Sequence, residues 1–223
     1  MNNCEKNNNF GDDGAIKLKK EGLGIQCVSI IGQVEGHYLL PENQKSTKYE
    51  HLIPLLTDAE QDEEVKGILI ILNTVGGDVE AGLALAELIA GMSKPTVSLV
   101  LGGGHSIGVP LAVAADTSFI VPSATMTVHP VRINGLVIDA PQTYSYFKKM
   151  QDRITDFITR HSSCPKKSFE ELLHRTEDMT SDLGTVLEGK RAVELGLIDR
   201  LGGLKDALCQ LEKSVKNKKE TAK

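Results

Sequence analysis

Apolar residues along this chain fall into short blocks that switch repeatedly between the pattern of a strand and the three-to-four-residue spacing of a helix. Ile25 to Ile31 is a β-branched apolar run bounded by glycines, which predicts a strand. Residues 48 to 62 carry Leu52, Leu55, Leu56 and Ala59 at helical spacing, with Pro54 near the start where a helix tolerates it. GILIILNT is a continuous apolar run of the kind buried on both faces of a sheet. DVEAGLALAELIAG then opens on Asp78, suited to capping a helix, and closes on Gly91.

The cycle repeats. TVSLVLGGG reads as strand and turn, SIGVPLAVAAD as a short helix, SFIVP as a strand and TMTVH as another. Asn134-Gly135, between the β-branched pairs of VRINGLVI, predicts a hairpin. Residues 141 to 160 place Tyr144, Phe147, Met150, Ile154, Phe157 and Ile158 on one helical face, which suits a core or a partner subunit. EGKRAVELG predicts a helix ending on Gly196, GLIDRL a strand and GLKDALCQLEKSV a closing helix. Strands alternating with helices of this length imply parallel βαβ units, hence an α/β fold.

Composition narrows the class. With 223 residues, 40% hydrophobic and 25% charged, the chain suits a single domain with a full core. We expect a disordered polar N-terminus over 1–22, the domain over 23–210 and a basic flexible tail over 211–223. The net charge of -5 leaves no broad basic face, and 4% aromatics without tryptophan disfavour stacking platforms, so nucleic acid is not expected as a partner. Apolar runs fall far short of the roughly 20 residues a membrane helix needs, and MNNCEKNNNFGDDG has no apolar signal core. A cytoplasmic protein with no membrane segment is expected. Cys4, Cys27, Cys164 and Cys209 are scattered without a C-x-x-C pair, so no metal, disulfide framework or cofactor is indicated.

The candidate chemistry sits in GGGHSIG, residues 102 to 108, whose last five residues match the Gly-x-Ser-x-Gly pattern of a serine hydrolase. Ser106 is either a nucleophile or a small residue in a glycine turn; a base and oxyanion donors would decide. Of the six histidines, His37 and His51 lie early, His161 and His174 sit in helical pattern, and His105 would point away from its neighbour. His129 ends a β-branched run just before Pro130, at a strand end where a general base belongs, although such a histidine also occurs without catalytic work. The turn from Asn73 to Asp78 joins a strand to a helix N-terminus, so Gly77 and Ile107 would supply two oxyanion amides. An α/β-hydrolase runs serine, acid, histidine; here His129 follows Ser106 by 23 residues with no obvious acid loop between.

ILIILNTVGGDVEAGLAL, LGGGHSIGVPLAVAA, ATMTVHP and KRAVELGLIDRLGG together resemble the proteolytic subunit of the Clp protease family, closest to its translocation-enhancing branch. The resemblance covers about Ile25 to Leu208. It implies the ClpP/crotonase-like fold, a spiral of β-β-α units, and a serine peptidase acting on peptides or unfolded polypeptides by a Ser-His-Asp acyl-enzyme mechanism. Carried onto this chain, the nucleophile is Ser106, the base His129 and the oxyanion donors Gly77 and Ile107. The acid falls on Asp182, with Asp178 as rival and an acid-free dyad as a third possibility. The resemblance also implies a homo-oligomeric ring, two rings stacked through the helix at 141 to 160, and a possible link to protein translocation. Two departures stand out. The family usually has a small residue where His105 stands, and the N-terminal region lacks the hydrophobic glycine-flanked loop of an axial pore, which argues against an AAA+ unfoldase partner. Three rival readings are a crotonase-type acyl-CoA hydratase or isomerase, a catalytically weak scaffold in secretion, and a Ser-Lys dyad using Lys148, Lys149 or Lys190.

Overall fold

The computed structural model describes residues 15–18, 24–132, 139–176 and 184–221. Four parallel strands form its spine: β2 (Ile25–Glu35), β4 (Gly67–Gly77), β5 (Thr96–Gly104) and β6 (Thr117–Ile120). β1 (Ala15–Leu18) pairs antiparallel with one end of β2, and β3 (Ser46–Lys48) pairs parallel with its other end. β7 (Thr125–Val128) pairs parallel with β5 at Gly103 and antiparallel with β8 (Thr185–Glu188), while β9 (Arg200–Leu201) adds to β6.

The central runs are apolar throughout because both sheet faces are covered. Ile68, Ile70 and Leu72 point into a large core shared with α1 (Tyr49–Gln61), α2 (Val79–Ala90) and α3 (Gly108–Val113). Leu69 points the other way, with Val97, Leu99 and Phe119, against Ala207 and Leu211 of α7 (Leu204–Thr221). Burying side chains of this size contributes about 1.5–3 kcal/mol each, so this strand holds the two layers together. The Asp78 side chain caps α2 by accepting from Ala81 N–H at 2.8 Å, as the sequence pattern predicts. α4 (Ala140–Arg160) packs its second half on the core and ties to α2 through Arg153–Glu80 and Arg160–Glu87 contacts of 2.7 and 3.2 Å.

Some elements differ from the sequence pattern. Ala15–Leu18 form a strand inside the stretch expected to be disordered. The closing helix runs on to Thr221, through the expected tail, because Val215 continues the buried face of Leu211. GLIDRL contributes only the two-residue β9: Leu197 and Ile198 are buried in a turn whose N–H groups both reach the Ala192 carbonyl, at 3.0 and 3.2 Å. α5 (Lys166–Leu173), α6 (Gly189–Glu194) and β8 complete the domain; α5 falls in the helical pattern around His174 and α6 matches an expected helix, whereas β8 has no counterpart in the sequence pattern. The hairpin at Asn134-Gly135 lies outside the described residues.

Candidate active site

The parallel register ends irregularly at the C-terminal edge of the sheet, and that irregularity builds the site. β2 and β4 slip by one residue after Gly32, and β4 and β5 slip between Leu72 and Thr74. Such slips turn the chain ends away from the ladder and re-aim their side chains. The Gly76-Gly77 turn is thereby brought against the turn that carries Ser106.

Ser106 has φ of 55°, the one described residue other than glycine in the left-handed region. A non-glycine residue there costs on the order of 1–3 kcal/mol and persists only where its surroundings hold it. Ser106 N–H donates to the Thr127 carbonyl of β7 at 2.8 Å, and its own carbonyl accepts from Val109 N–H at 3.0 Å. His105 N–H donates to the Thr74 carbonyl at 3.2 Å, so the turn is tied to both neighbouring strands. Gly76 fits this packing only without a side chain: a Cβ there, at φ 92°, would lie 2.6 Å from Ser106 Cβ.

His129 follows the last residue of β7 and faces the same cleft of about 140 Å³, as do Gly77, Ser106 and Ile107. Its Nδ1 lies 2.7 Å from the Pro130 carbonyl, which accepts but never donates. In the neutral ring this bond puts the proton on Nδ1 and leaves Nε2 the lone pair that a general base needs. Among the described residues this is the ring's one hydrogen bond, so Nε2 is not yet bonded to Ser106 Oγ. Ile107 N–H, at the start of α3, finds no acceptor among the described residues. The rest of the cleft is mostly apolar: Val79, Val109, Val128, Ile154, Ile158, Phe169 and Leu173, with Arg132 the charged exception.

His105 directs its Nδ1 to Thr127 Oγ1 at 2.8 Å and lies against Gly103, away from the nucleophile side of the turn. Burial holds its imidazole below the ordinary histidine range, and charge on His129 pushes it further down. The other candidates stand elsewhere. His37 contacts Tyr49 Oη at 3.4 Å, His161 stacks on Phe157 with ring centroids 4.4 Å apart, and His174 caps the end of α5. Lys148 and Lys190 sit on exposed helix faces beside Asp152 and Glu194, and neither they nor Lys149 line the cleft. The Cys27 thiol is pushed up to about 11 by burial and Cys164 is raised for the same reason, so neither is a ready thiolate.

Asp178 and Asp182 both lie outside the described residues. The chain that flanks them is informative. Val128 pairs with Thr185 in the β7–β8 register, and a Cβ on Gly184 would come within 2.8 Å of His129 Cβ. Gly184 N–H also donates to the Arg175 carbonyl at 2.8 Å, closing the two described ends together. Sequence reasoning missed Thr74 and Thr127, whose backbone and hydroxyl groups hold the glycine and serine turns, and the part of α5 in the cleft wall, to which it supplies Phe169 and Leu173. Pro165 followed by Phe169, Leu172 and Leu173 at helical spacing was the available signal for a separate helix with an apolar face there.

A mostly parallel sheet with helices on both faces and a serine turn opposite a strand-end histidine is the ClpP type of α/β protein. The Clp protease family profile matches residues 24–204, and the chain belongs to that family. Over 191 residues, 86% of this chain and 75% of the relative, it is 57% identical to the Translocation-enhancing protein TepA of Halalkalibacterium halodurans. It is 25% identical over 227 residues, 89% of this chain and 71% of the relative, to the protein named "Putative protease MJ0651" of Methanocaldococcus jannaschii. No helix among the described residues is long and apolar enough to cross a membrane.

Proposed function

We propose that this chain is a serine endopeptidase of the Clp type, with Ser106 as nucleophile, His129 as base, Asp182 as the acid behind it, and the amides of Gly77 and Ile107 as oxyanion donors. The observation that carries the reading is Ser106 itself, held in a left-handed turn beside the glycine turn and across one cleft from a histidine whose Nδ1 is turned to the Pro130 carbonyl. Strain at a residue of this kind is a mark of functional sites.

Ser106 Oγ attacks the scissile carbonyl as His129 Nε2 takes its proton, the step at which the apo geometry closes. The oxyanion is met by Ile107 N–H and Gly77 N–H, each worth about 10²–10³ in rate. The C–N bond breaks, His129 returns the proton to the leaving amine, and a water activated by the same nitrogen releases the acyl group. The apolar cleft wall favours an apolar substrate side chain beside the cleaved bond. Asp182 precedes Gly184 by two positions, and the contact of Gly184 with His129 favours it over Asp178. The family is typically oligomeric, and a homo-oligomeric ring enclosing the sites would restrict them to peptides and unfolded chains. The likeness to a translocation-enhancing protein supports substrates drawn from protein export.

Labelling with a fluorophosphonate or β-lactone probe, read together with the mass of the intact assembly, tests this. Label on the wild type, lost in Ser106→Ala and weakened in His129→Ala, is the expected result. An intact assembly that never labels would defeat the peptidase and leave the fold serving as a scaffold.

A further inference from the structure

Thr74 is 1% exposed and does not line the cleft, yet it bonds or packs against the slip in β2, the glycine turn and both sides of the serine turn. Its Oγ1 donates to the Gly32 carbonyl at 2.6 Å, at the point where β2 slips against β4. The same oxygen accepts from Gly76 N–H at 3.0 Å. Its carbonyl takes His105 N–H at 3.2 Å, and its methyl lies where a Cβ on Gly108 would come within 2.7 Å.

A hydroxyl can give one hydrogen bond and take another, and here both partners are backbone groups around a buried side chain. The glycine pair has little side-chain packing of its own to hold it. A fixed partner for Gly76 N–H therefore decides how the next peptide faces. With Gly76 N–H occupied, Gly77 is the member of the pair that lines the cleft.

We propose that Thr74 is the positioning residue of the oxyanion site: its hydroxyl pins the amide of Gly76, which packs against Ser106, so that the Gly77 amide is the one presented to the substrate. This inference rests on the reading of Ser106 as nucleophile. It separates the hydroxyl of Thr74 from its bulk, because valine keeps the shape and orphans both backbone groups, whereas serine keeps both bonds and drops the methyl.

The test measures steady-state hydrolysis of a fluorogenic peptide by the full chain, with melting temperatures in parallel. Thr74→Val is expected to lower kcat by about 10²–10³, the loss of one oxyanion donor, with KM changed less than about twofold. Thr74→Ser is expected to recover kcat to within about threefold of wild type on the same scale. A peptide boronate, which mimics the tetrahedral adduct, should lose affinity in Thr74→Val by the factor lost in kcat/KM, while the product peptide binds unchanged. If Thr74→Val does not fold, Thr74→Cys, with similar bulk and a weak hydrogen bond, takes its place with a smaller fall of the same kind. Unchanged kcat in Thr74→Val, or an equal loss in Thr74→Ser, overturns the inference. A wild type that cleaves nothing, or a Ser106→Ala chain that still cleaves, instead defeats the serine-peptidase reading beneath it.

Discussion

Ser106 and His129 face one cleft but are held by opposite means. Ser106 is fixed through backbone bonds to Thr127 and Val109 and through contact with Gly76, none of which its hydroxyl supplies. His129 stands one residue beyond its strand, and its ring is oriented by one bond to the carbonyl of its own neighbour. The nucleophile side is therefore built into the fold, while among the described residues the base is oriented by a single exchangeable contact. Damage should follow that division: packing changes should be severe at the serine, and changes of hydrogen-bond partner should be graded at the histidine.

Gly76→Ala attacks the built side and carries the largest expected effect. The new methyl would lie 2.6 Å from Ser106 Cβ and 2.9 Å from the His105 carbonyl, so the two turns must part. Displacing a reacting group by an ångström costs about 10² and losing an oxyanion donor about 10²–10³, so kcat/KM should fall by at least about 10³. Stability should drop by on the order of 1–3 kcal/mol in urea unfolding, because alanine resists φ of 92°. A variant with near-normal turnover would show that the serine turn adapts as freely as the base.

Asp182→Asn tests the exchangeable side. An aspartate-to-asparagine change in a triad loses about 10⁴ when it leaves the histidine in the wrong tautomer. Here the Pro130 carbonyl already enforces the useful tautomer, so the loss should be nearer about 10², all of it in kcat, with Asp178→Asn close to wild type. Equal losses in the two variants would remove Asp182 from the proposed triad. A full loss of about 10⁴ in Asp182→Asn would show that Pro130 does not hold the ring during turnover.

The same division explains what could be read from the sequence. The strands β4 and β5, the α2 cap at Asp78, the glycine turn and the placing of His129 before Pro130 are all local signals, made by apolar runs and by residues that punctuate them. Pairings between distant segments left no such mark. β8 joins β7 through a register set 57 residues away, between Val128 and Thr185, and four half-polar residues do not announce a strand. Thr74 and Thr127 look like ordinary β-branched strand residues; the slipped register aims the Thr74 hydroxyl at Gly76, and the serine turn packed on β7 brings His105 to the Thr127 hydroxyl. His105 reads as a departure from the family pattern, and only its bond to Thr127 shows why a ring fits there.

The smallest predicted effect concerns that ring and asks whether the built side is indifferent to protons. Burial, and then the charge of His129, keep His105 harder to protonate in the folded chain than at the ordinary value of 6.5. As pH falls below that value the unfolded chain takes up a proton that the folded chain refuses, so stability declines; above it the penalty is absent. His161, lowered chiefly by burial, pulls in the same direction. Glu35, Glu60 and Glu80 are all held below the ordinary carboxylate value of 4.5, so they stay ionised and contribute little to the slope between pH 7 and 5. His105→Asn removes one titration while keeping a polar partner for Thr127 Oγ1. Its urea midpoint should decline less than that of wild type from pH 7 to pH 5, with the gap between the two proteins constant above pH 7.5. Parallel declines would mean that the proton reaches His105 without disturbing the turn, and the nucleophile side would then be less rigid than its backbone bonds imply.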